Sequence, residues 1–333
     1  MTASLAQFPD DGWDLAEAYR RELQVHCYRM TGSFDESQDL VQETMVKAWR
    51  ARESFEARAS LRTWLYKIAT NVRLDALDKS ARRSLPALTY APAGPGADVE
   101  PPITEPVWLD PYPDALLPNL SADPEARYDI KEAVSLAFMV AIHVLPARQR
   151  AVLILRDVLD WSAKETVVSK STAVSAVNSM LHRARTELNG HYTSPLRPTS
   201  EEETSAITLQ LLERYVTAWE SADVDGLVSL LQDDARLAMP PSPTWVLGRE
   251  AIRAFLALRV FLGSVPGAWS VAQTQANGQP AYAAYGLDPS SGLRQAIGIL
   301  VLTIDAPAGD AVSEITAFMD PALFEAFGFP LQM

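Results

Sequence analysis

The sequence is short of cysteine, of basic residues and of long apolar runs. Its 333 residues include one cysteine, Cys27, which excludes an internal disulfide and a thiolate metal cluster. Cys27 lies in an apolar helical pattern, which predicts a buried small hydrophobe rather than a reactive thiol. No apolar run approaches the ~20 residues that cross a bilayer, and the first residues are acidic where a signal peptide would be basic. We therefore expect a soluble, cytoplasmic protein without a membrane partner.

Basic residues are outnumbered by acidic ones, 29 to 42, and the net charge is −13. Residues 87–126 contain seven acidic residues and no basic one, and residues 196–333 have a net charge of −9. The first 86 residues are neutral, and residues 127–195 have a net charge of +3. No segment has the strongly basic composition of an independent DNA-binding protein, whose affinity depends largely on phosphate neutralisation.

Residues 26–83 show apolar residues at helical spacing, which predicts two or three packed helices. One predicted apolar face contains Leu40, Met45, Ala48 and Trp49, and a later one runs from Leu61 to Leu77. A polar ridge lies opposite the first face, and polar and basic residues gather at the end of the last helix.

Residues 86–124 are rich in proline, which predicts an extended, semi-rigid linker. The stretch WLDPYPDALL is too aromatic for a simple spacer. We therefore expect five of its side chains to dock on a neighbouring domain: Trp108, Leu109, Tyr112, Leu116 and Leu117.

The rest of the chain divides into a helical part and a mixed part. Residues 125–190 predict a long helix to about residue 145, a second from LPARQRAVLILRDVL, a third capped by Ser162, and a last one over AVSAVNSMLHRARTEL. Residues 205–333 predict helices followed by antiparallel strands, an α+β domain with a curved sheet around a pocket. Its candidate polar pocket residues are Arg236, Trp245, Asn277, Tyr282, Tyr285, Arg294 and Asp320. His191 has no histidine or cysteine at ligand spacing, so neither a metal nor a cofactor is expected.

Several motifs resemble one family along nearly the whole chain. DLVQETMVKAW and SLRTWLYKIATNVRLDAL resemble region 2 of an extracytoplasmic-function sigma factor, and LPARQRAVLILRDVLDWSA resembles region 4. DDARLAMPP, GREAI and ITAFMDP resemble the cone-shaped fold of SnoaL-type polyketide cyclases and limonene epoxide hydrolase. The chain resembles the subgroup of sigma factors that carry such a domain at the C-terminus.

The resemblance implies a multidomain fold with two all-α domains and an α+β domain. Region 2 would occupy residues 14–85, the linker 86–124, the region 4 helix-turn-helix 125–190, and the SnoaL-like domain 205–333. The chain would be an alternative sigma factor, regulated by its C-terminal domain, with RNA polymerase core and promoter DNA as partners and a possible small-molecule ligand. The residues implied in these contacts are Asp39, Gln42 and Glu43 for polymerase, and Trp64, Asn71, Arg73, Asn178, Arg183 and Arg185 for DNA.

Three residues depart from the family pattern and favour a different interpretation. Asp78 would face DNA phosphate, Lys170 stands where a buried leucine is expected, and Ala173 stands where the recognition helix needs a cap. The alternative is a sigma-derived enzyme, a cyclase or hydrolase of a polyketide-like molecule, with Asp320 as its candidate catalytic carboxylate. Asp320 could instead cap a turn before Pro321, and Trp64 could instead pack in a core. A third interpretation is a protein that occupies polymerase without reading promoters.

Overall fold

The computed structural model describes residues 12–55, 59–77, 83–105, 107–118, 133–167, 173–191, 201–304 and 310–333. Its helices are α1 Gly12–Ala18, α2 Arg20–Thr31, α3 Phe34–Ala51, α4 Leu61–Leu77, α5 Pro86–Thr89, α6 Leu136–His143, α7 Ala147–Leu153, α8 Val174–His191, α9 Glu201–Glu220, α10 Val224–Val228, α11 Arg249–Phe255 and α12 Leu323–Ala326. Its strands are β1 Arg83–Ser84, β2 Val107–Trp108, β3 Leu231–Ala238, β4 Trp245–Leu247, β5 Trp269–Ala276, β6 Gln279–Leu287, β7 Arg294–Ile304 and β8 Val312–Phe318. A 3₁₀ turn, Arg52–Ser54, follows α3, and single π-helical turns, Ile154–Val158 and Leu256–Val260, extend α7 and α11.

The chain forms two compact units that are not simple consecutive blocks. Unit 1 contains Met1–Arg83 and Leu116–Thr193, and unit 2 contains Ser84–Ala115 and Ser194–Met333. The proline-rich stretch that was predicted as a separate linker therefore belongs, up to Ala115, to the same unit as the C-terminal domain.

The described elements of unit 1 are helices and turns apart from Arg83 at the start of β1, and α2, α3 and α4 bury one apolar core. Leu23, Val41 and Leu65 lie in this core, as does Cys27, whose thiol pKa is raised by burial to about 12. The prediction of a buried cysteine is thus confirmed. Ser60 caps α4 as predicted, since its hydroxyl accepts a hydrogen bond from the Thr63 backbone N–H at 3.1 Å.

Trp49 is a correction to the predicted apolar face of α3. Leu40, Met45 and Ala48 are buried, but the Trp49 ring is 48% exposed. It packs edge-on against Trp13, with ring centroids 5.0 Å apart, and the Arg52 guanidinium lies 4.1 Å from its centroid. Trp49 lies at the edge of the apolar side of α3, so its side chain is at the surface and not in the core.

The later helices of unit 1 pack on the same core through buried contacts. Leu155 and Trp161 join the cluster of α2, α3 and α4, and the Trp161 ring lies 5.8 Å from that of Tyr66. Arg150 of α7 is buried and donates to the carbonyls of Met30 at 2.7 Å and Ile142 at 3.1 Å. The helical segments before and after the linker thus share one unit.

Two of the four helices predicted in residues 125–190 are shorter than expected where the structure describes them. Ser135 caps α6, so the described helix begins at Leu136, and residues 119–132 lie outside the described residues. Ser162 and Glu165 bond each other's backbone N–H groups reciprocally, the capping box pattern, but residues 163–166 form a turn rather than a helix.

Unit 2 is the α+β domain that the sequence predicted. Its sheet has the strand order β4-β3-β8-β7-β6-β5, in which β3 and β8 are parallel and the other neighbours are antiparallel. Side chains of α9, α10 and α11 form a common core with one face of this sheet, including Tyr215, Phe255 and Leu300.

His26 gives unit 1 a predictable pH dependence. Its ring is fully buried, with Nε2 2.9 Å from the Thr70 hydroxyl, and burial together with the positive charges of Arg29 and Arg62 lowers its pKa to about 3. Below pH 6.5 the unfolded chain therefore gains a proton that the folded chain does not. The stabilisation is complete above pH 6.5 and is lost as the pH falls from 6.5 toward 3.

We expect His26→Gln to flatten the fall in the free energy of unfolding between pH 6.5 and 5. A buried neutral histidine contributes a slope of up to about 1.4 kcal/mol per pH unit. Urea unfolding at several pH values measures this slope. His182→Gln, at an exposed position of α8, is the matched control and should keep the wild-type slope. An unchanged slope in His26→Gln would contradict the assignment.

Candidate functional site

One face of α3 forms an exposed polar surface with apolar residues beside it. Asp39, Gln42 and Glu43 are exposed, and Glu43 pairs with Lys47 at 2.8 Å. Val46, which is 40% exposed, and Trp49 continue the same side of the helix. We call Asp39, Gln42, Glu43, Val46 and Trp49 the α3 surface. Acidic groups next to exposed apolar groups suit a protein partner better than a nucleic acid.

The three residues of α4 that are predicted to contact DNA are half-buried or buried. Trp64 is half-buried and lies edge-on to Phe55, with ring centroids 5.2 Å apart, and Asn71 is half-buried. The Arg73 side chain is 9% exposed and lies 3.4 Å from the Glu36 carboxylate. A contact between Arg73 and DNA would have to break this ion pair. Asp78 lies outside the described residues.

The exposed side of α8 contains the predicted recognition residues. Asn178 and Arg183 are exposed, while Val177 and Leu181 pack against Val152 of α7. Ser175, Ser179 and His182 are exposed as well. The helix therefore presents a row of hydrogen-bonding groups while its apolar side holds it in place.

Two further residues of the predicted DNA-binding region have defined environments. Arg185 donates two hydrogen bonds to the Asp157 carboxylate, at 2.9 and 2.7 Å, and this pairing raises the Arg185 pKa. Ala173 immediately precedes α8, and its carbonyl accepts from the Val177 N–H, but its methyl group cannot cap the first turn. Lys170 lies outside the described residues.

The linker residues docked in unit 2 are held by backbone hydrogen bonds. The Ala93 N–H donates to the Trp245 carbonyl at 2.8 Å, and the Trp245 indole returns a bond of 2.8 Å to the Tyr90 carbonyl. Farther along, the Ile103 N–H donates to the Pro241 carbonyl at 3.0 Å. We call residues 84–115 the docked segment. These hydrogen bonds satisfy backbone groups of the docked segment, so it can pack closely although it contains no long helix.

Three of the five side chains that were predicted to dock are buried in unit 2. Trp108, Leu109 and Tyr112 are at most 6% exposed, whereas Leu116 and Leu117 are half-buried and belong to unit 1. The Tyr112 N–H donates to Asn277 Oδ1 at 2.8 Å, and the Asn277 N–H donates to the Tyr112 carbonyl at 3.0 Å. Asn277 sits in the turn between β5 and β6 with a positive φ of 55°, a conformation that asparagine tolerates. Its role is to fix this segment.

Unit 2 contains a cavity of about 270 Å³. The wall is formed mainly by apolar side chains of the sheet and its covering helices, with Glu100, Ser242 and Arg259 as polar exceptions. Three aromatic residues with a polar atom also line it, namely Tyr215 and Trp219 of α9 and Trp269 of β5. The docked segment also reaches this cavity, since Val99 and Pro102 belong to its lining.

None of the polar residues predicted for the pocket lines this cavity. Arg236 is exposed on β3, and Trp245 and Asn277 hold the docked segment. Tyr282 and Tyr285 are buried, with Tyr285 Oη donating to the Pro330 carbonyl at 2.9 Å, and Arg294 donates to the Gly267 carbonyl at 2.7 Å. The inward positions are instead apolar, for example Leu237, Ala284 and Ile315.

Asp320 is a turn cap, which was the structural alternative for this residue. It is exposed, and its Oδ1 accepts a hydrogen bond from the Ala322 N–H at 2.9 Å. Among the described residues that line the cavity, Glu100 is the single carboxylate, so the paired acids of an epoxide hydrolase are not assembled there. The described residues hold no group of three or more His, Cys, Asp and Glu that could bind a metal ion. None of the described helices has the length and apolar content that crossing a membrane requires.

Comparison with protein families identifies three domains in this order. The Sigma-70 region 2 model matches residues 15–83, the Sigma-70 region 4 model matches residues 135–188, and the SnoaL-like domain model matches residues 212–302. The predicted multidomain fold is therefore confirmed.

Curated relatives cover nearly the whole chain. The ECF RNA polymerase sigma factor SigG of Mycobacterium tuberculosis (strain ATCC 25618 / H37Rv) is 41% identical over 318 residues, which are 94% of this chain and 82% of SigG. The ECF sigma factor SigW of Bacillus subtilis (strain 168) is 26% identical over 177 residues, 53% of this chain and 85% of SigW. The crystal structure of the M. tuberculosis sigma factor SigJ has the same fold, with a TM-score of 0.59 at 21% identity over 96% of this chain and 99% of SigJ.

The architecture is thus that of an RNA polymerase sigma factor with an added SnoaL-like domain. The chain belongs to the extracytoplasmic-function RNA polymerase sigma factors. These relationships support the sigma factor interpretation and not the enzyme alternative.

Asn277→Ala should loosen the docked segment. The change leaves the buried Tyr112 N–H without its acceptor and puts alanine at a positive φ, two effects of about 1–3 and 1–2 kcal/mol. We expect faster amide hydrogen exchange and faster proteolysis within residues 107–115. Asn277→Gly is the matched variant, because it removes the acceptor but accepts the backbone conformation, and it should give a smaller effect. Equal exchange in all three proteins would show that Asn277 does not hold this segment.

Proposed function

We propose that this chain directs RNA polymerase core enzyme to selected promoters as an alternative sigma factor. The observation that carries the proposal is the 41% identity to a curated ECF sigma factor over 94% of the chain. The chemistry of transcription belongs to the polymerase, so no catalytic residue is required here. The proposed site of action is the cytoplasm, where this polymerase works.

Polymerase docks on the α3 surface in this proposal. Asp39, Gln42 and Glu43 support it because they are exposed together on one helical face. Val46 and Trp49 add apolar area that burial against a partner would stabilise by roughly 25 cal/mol per Å². The surface thus combines charged groups with apolar side chains that a partner would cover, which is the usual composition of a protein interface.

Promoter DNA is read by α8 and approached by α4. Asn178 can bond adenine edges, and Arg183 can bond guanine or phosphate. Arg185 orients beside them through Asp157, and its remaining exposure permits a phosphate contact. On α4, Trp64 and Asn71 are the partly accessible groups, and Arg73 takes part once it leaves Glu36. This small number of contacts fits a protein whose DNA affinity depends on its polymerase partner.

Unit 2 regulates this activity through the docked segment. The segment joins α4 to the helices that begin at α6, so its attachment to the sheet limits how those helices can move apart. Support comes from the backbone bonds at Ala93 and Ile103 and from the burial of Trp108 and Tyr112. Stronger docking of the segment is expected to favour one arrangement of the helices over others.

Separating the two proposed contacts tests the function. The double variant Asp39→Arg, Glu43→Arg should weaken binding to purified core polymerase at least about tenfold, because it reverses two charges on the α3 surface. The double variant Asn178→Ala, Arg183→Ala should bind polymerase normally but lose promoter-selective transcription from a genomic fragment library. Fluorescence anisotropy measures the first effect, and run-off transcription measures the second.

The controls change the charge in the same direction as the test variants and lie in unit 2. Asp234→Arg and Arg214→Ala alter exposed residues of β3 and α9, and both should behave as wild type. A folded wild-type chain that neither binds core polymerase nor yields selective transcripts would overturn the proposed function. Polymerase binding without selective transcripts would favour a protein that occupies polymerase without reading promoters.

A further inference from the structure

Asp157 and Arg185 form a polar contact between the end of α7 and α8. Arg185 donates two hydrogen bonds to the Asp157 carboxylate, from Nε at 2.9 Å and from Nη2 at 2.7 Å. We propose that Asp157 is a positioning residue for promoter recognition, which acts through Arg185 to fix the direction of the DNA-facing side of α8. The inference rests on the proposed promoter function and adds to it a residue that acts through another side chain rather than by touching DNA.

The apolar contact between α7 and α8 is made by few buried side chains. Val152 of α7 packs with Val177 and Leu181 of α8 in one buried cluster, which is bordered by the partly buried Ala163, Val167 and Met180. Apolar burial holds the helix against its neighbour, but it is non-directional, so it resists a roll of α8 about its own axis only weakly. Ala173, just before α8, has no side-chain oxygen that could cap the first turn. The orientation of α8 therefore depends on a directional contact.

The pair of Asp157 and Arg185 supplies that directional contact. Two N–H···O bonds from one guanidinium to one carboxylate fix the relative orientation of the two groups. The Arg185 side chain is 55% exposed and that of Asp157 is 29% exposed. Water screens a pair as exposed as this one, so the pair adds little to the free energy of unfolding. Its contribution is geometrical, since it holds α8 at one rotation relative to α7.

The place of Arg185 on α8 relates this contact to the predicted DNA-reading residues. Asn178 and Arg185 are seven residues apart, which is close to two turns, so they lie within about 20° of one line along the helix. A roll of α8 that breaks the Arg185 bonds would turn Asn178 and Arg183 by the same angle. Hydrogen bonds to base edges are directional, so such a roll reduces discrimination between bases more than attraction to phosphate.

The π-helical turn at the end of α7 holds Asp157 in place for this contact. Asp157 lies within the turn, in which the Leu159 N–H donates to the Ile154 carbonyl at 3.0 Å. Hydrogen bonding between residues five apart instead of four changes the side of the helix on which the following residues lie, and such turns are frequent at functional sites. Arg156 of the same turn donates to the carbonyl of Trp161, whose side chain is buried in the core of unit 1. The carboxylate is thus presented to α8 from an anchored turn.

The test compares Asp157→Asn with Asp160→Asn in the full-length chain bound to core polymerase. Both changes remove one carboxylate charge from the same stretch, and the pair with Arg185 is affected in the first variant alone. Asp160 is exposed and has a positive φ of 51°, which asparagine tolerates. The measured quantity is a preference ratio, defined as transcription from a selected promoter fragment divided by transcription from the same fragment with one base pair changed. The base pairs changed are those that Asn178→Ala no longer distinguishes.

We expect Asp157→Asn to lower the preference ratio about threefold to tenfold, as for the loss of a base contact. Binding to core polymerase, measured by fluorescence anisotropy, should stay at the wild-type value. Asp160→Asn should keep both the wild-type ratio and wild-type polymerase binding. A general loss of structure would change polymerase binding as well, and far-ultraviolet circular dichroism checks the helix content of each variant.

Exchanging the two charged residues separates positioning from direct contact. The double variant Asp157→Arg, Arg185→Asp re-forms the pair with reversed polarity, so it should recover at least half of the ratio that each of its single changes loses. A phosphate contact made by Arg185 itself affects transcription from all fragments alike and leaves the ratio unchanged. Recovery in the exchanged pair is therefore the result specific to a positioning role.

Three results with folded protein would overturn the inference. The first is a wild-type ratio in Asp157→Asn, including the case in which all fragments are used more strongly because Asp157 only screens the charge of Arg185. The second is an equal loss in Asp160→Asn, and the third is a lowered ratio that the exchanged pair does not recover. Wild-type protein without any promoter preference would overturn the proposed function and this inference together. Preference in wild type combined with any of the three results would overturn the role of Asp157 alone.

Discussion

The buried guanidinium of Arg150 is the contact on which the arrangement of unit 1 depends. Desolvating such a cation costs several kcal/mol, so it is stable only where acceptors surround it. Its acceptors are the carbonyl of Met30 and those of Ile142, His143 and Leu145. These groups lie at the C-terminal ends of α2 and α6, where carbonyls lack helical partners and the helix dipoles are negative. One cation thereby joins helices whose contacting residues are 120 positions apart.

Two other arginines of unit 1 are also paired with acceptors within the chain. Arg73 faces Glu36, Arg150 is enclosed by carbonyls, and Arg185 is bound by Asp157. Arg73 and Arg150 are thus buried, whereas the Arg185 side chain stays 55% exposed beside Asp157. Arg183 remains among the exposed groups of α8, together with the uncharged side chains of Asn178 and Ser179. In the proposed function, affinity for DNA therefore comes chiefly from the polymerase partner.

Sequence patterns predicted the elements of this fold better than they predicted its cavity. The helical periodicity, the Ser60 cap and the buried Cys27 follow from residues close in sequence, so local reasoning found them. Burial of Trp108 and Tyr112 was also predictable, because aromatic residues in a proline-rich stretch need a surface to pack on. Trp49 was misplaced because its angular position lies at the edge of the apolar stripe.

The lining of the cavity was not predicted, for a different reason. Polar and aromatic residues were sought there, but a wall made of Leu237, Ala284 and Ile315 resembles any apolar core in sequence. Only the tertiary arrangement shows that these side chains leave a space between them. Tyr215 and Trp219 lie in the motif RYVTAW, which supported the fold resemblance, yet periodicity alone places them in the core.

The mutual bonds of Tyr112 and Asn277 have a consequence for how the protein is made. The two residues are 165 positions apart, so the ribosome delivers the docked segment long before the turn that receives it. At about 5–20 residues per second the wait is roughly ten to thirty seconds. During that interval Trp108, Leu109 and Tyr112 have no sheet to cover them, and every nascent chain that stops early exposes them. The docked segment can therefore pack only after the C-terminal domain has been synthesised. Until then its exposed apolar side chains are the kind of surface that chaperones bind.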